Sequence, residues 1–192
     1  MSETRGLPAE TASLPSSSPG GRLASSAGAA MLGRMGLIEE VAKTDRPVLG
    51  NDIPLLVFRV FRHFSAQYVE EVLGRGAAVV FQNGGRDLGK EAGTMLYKPD
   101  PHEYLREICQ FVRDSRIGIL QPRELSETRL VVDLDECITC AGMASIGKRI
   151  CQFEVGFVAG VAEVLIKKKP RAYETKCNAN GEGTCQVTVE LA

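Results

Sequence analysis

Apolar residues in the N-terminal half of the chain recur at the spacing of one helical face. In residues 51–73 they lie three or four positions apart, after a helix-start pattern that includes Asp52 and Pro54. The same period occurs in residues 77–96 and 101–114. The pattern therefore predicts three amphipathic helices in this half.

The C-terminal half has a different pattern. Short β-rich runs at residues 117–120 and 129–134 predict a hairpin, and residues 150–166 predict a helix that is apolar on nearly all sides. Two more strands are predicted near residues 172–177 and 184–191, around a turn rich in Asn and Gly. Together these elements predict an α+β domain in which helices pack on a small antiparallel sheet.

Two glycines lie four positions apart in the apolar helix, at Gly156 and Gly160. Such a pair allows another backbone to approach closely. The helix is too short for a membrane span and carries Glu154 and Glu163, so packing within the domain is favoured. If this helix lines a ligand pocket, a bulky residue at Gly156 is expected to fill it.

The chain divides into three segments by composition. Residues 1–30 are rich in Ser, Pro, Gly and Ala and predict a disordered tail. Residues 31–50 form an N-terminal arm, and residues 51–192 form the domain. The start lacks the layout of a signal peptide, and a cytoplasmic location is expected.

Charge is nearly balanced along the chain. It has 23 basic and 24 acidic residues, for a formal net charge of −1. This balance provides no basic surface for a phosphate backbone or an anionic lipid headgroup. Neither nucleic acid nor a membrane is therefore expected as a partner.

The strongest chemical pattern consists of Cys151, Glu174, Cys177 and Cys185. In a reducing compartment, cysteines more often bind metal or lie buried as thiols than form disulfides. Three thiolates and a carboxylate suit a structural zinc ion, whereas buried thiols without metal are the alternative. Strand side chains alternate, so Cys177 must lie in the turn or beyond a bulge to join Glu174.

A second cysteine pair, Cys137 and Cys140, has two interpretations. It could be a redox pair, or half of a four-cysteine zinc site with Cys177 and Cys185. Cys109 lies on the apolar side of a predicted helix and is expected to belong to the core.

Residues 136–190 resemble the 4-vinyl-reductase domain family, and a weaker similarity extends back to about residue 45. The resemblance rests on three motifs: Glu136-Cys137, Cys151-x-Phe153-x-x-Gly156-Phe157-x-x-Gly160, and Glu174-x-x-Cys177-x-x-x-Gly181-x-x-x-Cys185. The family includes sensor domains of aromatic-responsive regulators, a bacteriochlorophyll-synthesis protein and stand-alone hydrocarbon-binding members. Its fold is similar to the ligand-binding domain shared by NO-signalling and Golgi-transport proteins.

This resemblance implies a ligand set, a pocket and an assembly. By it, Cys151, Glu174, Cys177 and Cys185 hold zinc, and the protein forms a homodimer. His102 is the counterpart of a histidine that holds phenol in the sensors, although this chain has no tryptophan to match theirs. Phe153 and Phe157, on the apolar helix, are predicted to contact the ligand.

Three functions are consistent with these features. The favoured one is a binding module for an apolar or aromatic small molecule, which senses or carries it for an effector protein in trans. The alternatives are a tetrapyrrole-handling protein of bacteriochlorophyll synthesis, as a 4-vinyl reductase or a porphyrin carrier, and a structural adaptor like vesicle-tethering subunits. No nucleotide motif or nucleophile–base pair is evident in the sequence, which favours binding over turnover.

Overall fold

The computed structural model describes residues 44–191, which form four α-helices and four β-strands. The helices are α1 (Leu55–Leu73), α2 (Gly76–Met95), α3 (Pro101–Asp114) and α4 (Gln152–Ile166). The predicted 1–30 tail and most of the 31–50 arm lie outside the described residues. The first helix begins four residues later than predicted, because Pro54 at its N-cap is extended and disfavours helical backbone at Ile53.

The strands form one antiparallel sheet. They are β1 (Ile119–Leu125), β2 (Arg129–Asp135), β3 (Arg171–Lys176) and β4 (Cys185–Glu190), in the order β1-β2-β4-β3. Two hairpins are thus joined through the pairing of β2 with β4. The predicted α+β class with helices packed on a small antiparallel sheet is confirmed.

Helix α3 shows how local sequence sets an element. Its N-cap, Asp100, accepts a hydrogen bond from the backbone N–H of Glu103 at 2.8 Å, and Pro101 occupies the first turn. The apolar face of α3 is buried. The Tyr104 hydroxyl donates a hydrogen bond to the Val161 carbonyl at 3.0 Å, which attaches α3 to α4.

Helices α2 and α4 cross at glycines. A Cβ atom added at Gly156 would lie 2.1 Å from the carbonyl oxygen of Gln82, and one added at Gly85 would lie 1.9 Å from that of Phe153. The close approach predicted for Gly156 and Gly160 is confirmed. The expectation that a bulky residue at Gly156 would fill a ligand pocket is wrong, because Gly156 faces the α2 backbone.

Helix α1 covers the domain differently from the other helices, since none of its residues is buried. Arg59 attaches it by hydrogen bonds to the carbonyls of Ile138 at 2.8 Å and Ala141 at 2.7 Å. His63 hydrogen-bonds the Thr139 carbonyl at 3.0 Å. Its exposed apolar side chains include Leu56, Val60, Phe61, Phe64, Tyr68 and Val72. Despite this apolar face, no helix within residues 44–191 is long and apolar enough to cross a membrane.

Candidate metal centre and ligand cavity

Five cysteines converge at one end of the sheet. Cys151 caps α4, Cys177 follows β3 and Cys185 opens β4, whereas Cys137 and Cys140 lie in the loop after β2. All five side chains are buried, with at most 2% exposed. We refer to these residues, together with Glu174, as the cysteine centre.

The spacing of the sulfur atoms suits a tetrahedral ion. The Sγ atom of Cys151 lies 3.8 Å from the Sγ atoms of Cys137, Cys177 and Cys185. Cys140 Sγ lies 3.4 Å from that of Cys151 and 3.1 Å from that of Cys185. Zinc–sulfur bonds of about 2.3 Å in a tetrahedron separate sulfurs by roughly 3.8 Å. The centre therefore has the dimensions of a zinc–thiolate site.

The four predicted metal ligands are brought together. Ligand atoms of Cys151, Glu174, Cys177 and Cys185 all lie within 4.8 Å of one another. The pairing of β3 with β4 shifts register between Glu174 and Lys176. This irregularity places Glu174 and Cys177 on the same side of the sheet, as strand alternation required. Four protein ligands would leave no open coordination position.

Glu174 carries an oxygen available to a metal. Its Oε2 accepts a hydrogen bond from the Cys151 backbone N–H at 3.2 Å, whereas its Oε1 is buried without a hydrogen-bond partner. Burial, followed by the hydrogen bond and charge of Cys177, raises the pKa of Glu174 to about 9. A divalent cation would complete the bonding of this oxygen and favour its ionised form.

The thiols also hold one another's protons. Hydrogen bonding with Cys137 and the other sulfurs, together with burial, raises the pKa of Cys151 above its ordinary value. Hydrogen bonding with Cys137 likewise raises the pKa of Cys140 to about 12. Several buried thiolates repel one another unless a cation lies between them. Metal binding at this centre would therefore release protons.

A second tetrad overlaps the first. Ligand atoms of Cys137, Cys140, Cys151 and Cys185 also lie within 4.8 Å of one another. The Cys137–Cys140 pair joins the centre, but this tetrad contains Cys151 instead of the Cys177 expected for the alternative zinc site. Cys151 and Cys185 belong to both tetrads.

Arg149 supports the turn that carries Cys177. Its Nη2 donates to Glu182 Oε1 at 2.6 Å, and Glu182 Oε2 accepts the Cys177 backbone N–H at 2.8 Å. The Arg149 hydrogen bond lowers the pKa of Glu182 to about 2, so this carboxylate stays ionised at neutral pH. The backbone of Cys177 is thus fixed from outside the cysteine centre.

An apolar cavity of about 310 Å³ adjoins this centre. Phe153 and Phe157, both predicted to contact a ligand, line it. The remaining apolar lining residues are Phe58, Leu88, Val112, Ile117, Leu120, Leu134, Ile138 and Val158. The cavity is thus enclosed by all four helices and the β1–β2 hairpin, and its volume is that of a small-molecule site.

Three polar residues interrupt this apolar lining. The Thr139 hydroxyl donates to Glu154 Oε1 at 2.5 Å. Glu154 Oε2 and Arg62 Nη2 are buried without hydrogen-bond partners. Burial raises the pKa of Glu154 to about 7. Thr139 lies between Cys137 and Cys140, so one loop contributes to both the cavity and the cysteine centre.

His102 lies apart from the cavity. It is exposed at the start of α3 and borders an open groove with Leu105, Gln121 and Pro122. The structure therefore does not bring His102 to Phe153 and Phe157. Sequence reasoning missed Arg62, Thr139 and Glu154 as cavity residues, because no local pattern connects them.

The fold and the site define an α+β domain with a buried cysteine centre beside an apolar cavity. A family model for the 4-vinyl-reductase domain matches residues 130–191. An uncharacterized protein of Methanocaldococcus jannaschii, MJ0150, is 30% identical over 156 residues, covering 80% of this chain and 86% of the relative. A second protein of that organism, MJ1642, is 27% identical over 143 residues, covering 74% and 81%. The chain belongs to the 4-vinyl-reductase domain family, as the sequence motifs predicted.

Two solved structures have a similar fold. The phenol-responsive sensory domain of the transcription activator PoxR, with phenol, matches at a TM-score of 0.56 and 11% identity, covering 84% of this chain and 88% of that one. A vinyl-4-reductase family protein from Methanocaldococcus jannaschii matches at a TM-score of 0.53 and 18% identity, covering 84% and 91%. At these identities the likeness establishes the fold alone.

Proposed function

We propose that this protein binds an apolar or aromatic small molecule in the 310 Å³ cavity. The observation that carries this proposal is the enclosed lining of aliphatic and aromatic side chains with only three polar residues. The similarly folded PoxR domain responds to phenol, which supports a sensing role. The protein would sense or carry its ligand for an effector in trans, without turning it over.

The cavity proposal is tested by filling it from α2. Leu88 lines the cavity and is half-buried, so Leu88→Trp adds volume there with limited strain. We expect binding of naphthalene, measured by equilibrium dialysis, to weaken at least about tenfold. Val80→Trp is the matched control, because Val80 lies on the same helix but is exposed outside the cavity. Equal loss in both variants, or none in either, would contradict the proposal.

For the cysteine centre, the ion we propose is zinc held by Cys151, Glu174, Cys177 and Cys185. The mixed sulfur and oxygen donors, the sulfur spacing and the unpartnered Glu174 oxygen support this choice. The zinc would be structural, joining the start of α4 to the β3–β4 hairpin. Thiolate ligands also favour a reducing compartment, and we propose the cytoplasm.

We also propose a homodimer that covers α1. This helix buries no residue of its own, although Phe61 is 72% exposed and Phe64 is 62% exposed. A second copy of the chain would remove this apolar surface from water through a symmetric contact.

The dimer prediction is that Phe61→Glu combined with Phe64→Glu converts the protein to a monomer. Burying two carboxylates in an apolar contact is strongly unfavourable. Sedimentation equilibrium of the wild type should give a dimer that the double variant loses. Glu107→Lys, on an exposed position of α3, should remain dimeric. A concentration-independent wild-type monomer would refute the proposal.

A further inference from the structure

The cavity contains two unpartnered polar atoms of opposite charge type. Glu154 has 8% of its surface exposed, and its Oε2 has no hydrogen-bond partner because Thr139 contacts only Oε1. Arg62 also lines the cavity, and its buried Nη2 has no partner. Its guanidinium lies over the Phe81 ring, 4.4 Å from the ring centroid.

These atoms are unlike the rest of the cavity. A buried acceptor and a buried donor each lose water when the domain folds, and an unmade hydrogen bond leaves that loss uncompensated. Glu154 and Arg62 do not satisfy each other, since neither unpartnered atom hydrogen-bonds the other. A bound group could satisfy both atoms at once.

We infer that the ligand carries, on its apolar body, one neutral group that both donates and accepts hydrogen bonds, such as a carboxamide or a hydroxyl. This inference rests on the proposed function of the cavity. The group would donate to Glu154 Oε2 and accept from Arg62 Nη2, and the apolar body would contact Phe153 and Phe157. A carboxylate ligand would be repelled by Glu154 and an ammonium ligand by Arg62, so the opposite charges favour a neutral group.

Three naphthalene derivatives of nearly identical shape test this subsite. 2-Naphthamide donates and accepts, 2-acetylnaphthalene only accepts, and 2-isopropenylnaphthalene does neither. The chain contains no tryptophan, so naphthalene fluorescence can report binding directly. For the wild type we expect the amide to bind about tenfold tighter than the ketone, and the ketone tighter than the alkene.

Two variants assign each preference to its residue. Glu154→Leu should abolish the advantage of the amide over the ketone, and Arg62→Met should abolish that of the ketone over the alkene. Arg106→Met is the matched control for charge removal, because its side chain is 74% exposed on α3, and it should keep both preferences. Arg62 lies on α1, where no residue is buried, so its variant remains informative if Glu154→Leu fails to fold.

The outcomes separate the inference from the function beneath it. Equal affinity of the three compounds for the wild type would overturn the inference, as expected if water fills the subsite, and would leave the apolar cavity function intact. Preferences that survive in Arg62→Met would also overturn it. If no compound binds the wild type, the proposed function itself fails.

Discussion

Replacement of Cys151 or Cys185 by serine is expected to release the bound metal and to destabilise the domain more than any other single thiol change. These two residues belong to both overlapping tetrads, so neither set survives their loss. A structural zinc ion contributes its binding free energy to folding, and losing it should cost at least about 3 kcal/mol. Elemental analysis and thermal unfolding measure the two effects.

Other cysteine variants serve as controls and identify the ligand set. Cys109→Ser should keep its metal, because Cys109 lies on α3 outside the cysteine centre. If the proposed set holds the ion, Cys177→Ser loses the metal and Cys137→Ser retains it, whereas the other tetrad predicts the reverse. Wild-type protein made with ample zinc but lacking any metal would refute the centre.

The second large effect is expected at the crossing of α2 and α4. Gly156→Ala should destabilise the domain by about 3 kcal/mol or more, because the added methyl meets a backbone carbonyl that cannot rotate away. The helices must separate, and the core between them loses contacts. Urea denaturation measures the change in unfolding free energy.

Gly84→Ala provides the matched comparison within α2. A Cβ atom there would lie 3.6 Å from Phe153 Cε2, which is ordinary contact. Replacing a helical glycine with alanine should therefore leave stability unchanged or raise it by about 0.5–1 kcal/mol. If Gly156→Ala were as stable as Gly84→Ala, the glycine crossing would not be a close backbone contact in solution.

Periodicity predicted the elements better than their surroundings. The spacing of apolar residues correctly predicted α1 as an amphipathic helix, yet that helix buries no residue in this chain. An apolar face indicates that something should cover it, but the covering partner depends on tertiary and quaternary contacts. The nearly all-apolar α4, in contrast, is buried along most of its length, as its composition required.

The candidate site was predictable only where its residues were close in sequence or belonged to a motif. The family motifs brought Cys151, Glu174, Cys177 and Cys185 together, and strand alternation predicted the irregularity after Glu174. In the sequence Glu154 mattered only as a charge incompatible with a membrane span. Its role in the cavity depends on Arg62, 92 positions earlier, which no local pattern could connect to it.

The central claim, that a small molecule occupies the cavity, is tested most directly by methyl NMR of the wild type with naphthalene. We predict that methyl resonances of Ile117, Leu120 and Leu134, which line the cavity, shift on binding. Val187 and Val189 are buried in β4 but do not line the cavity, and their methyls should stay in place. Shifts confined to exposed α1 methyls such as those of Leu56 and Val72, or no shifts at saturating naphthalene, would contradict the account.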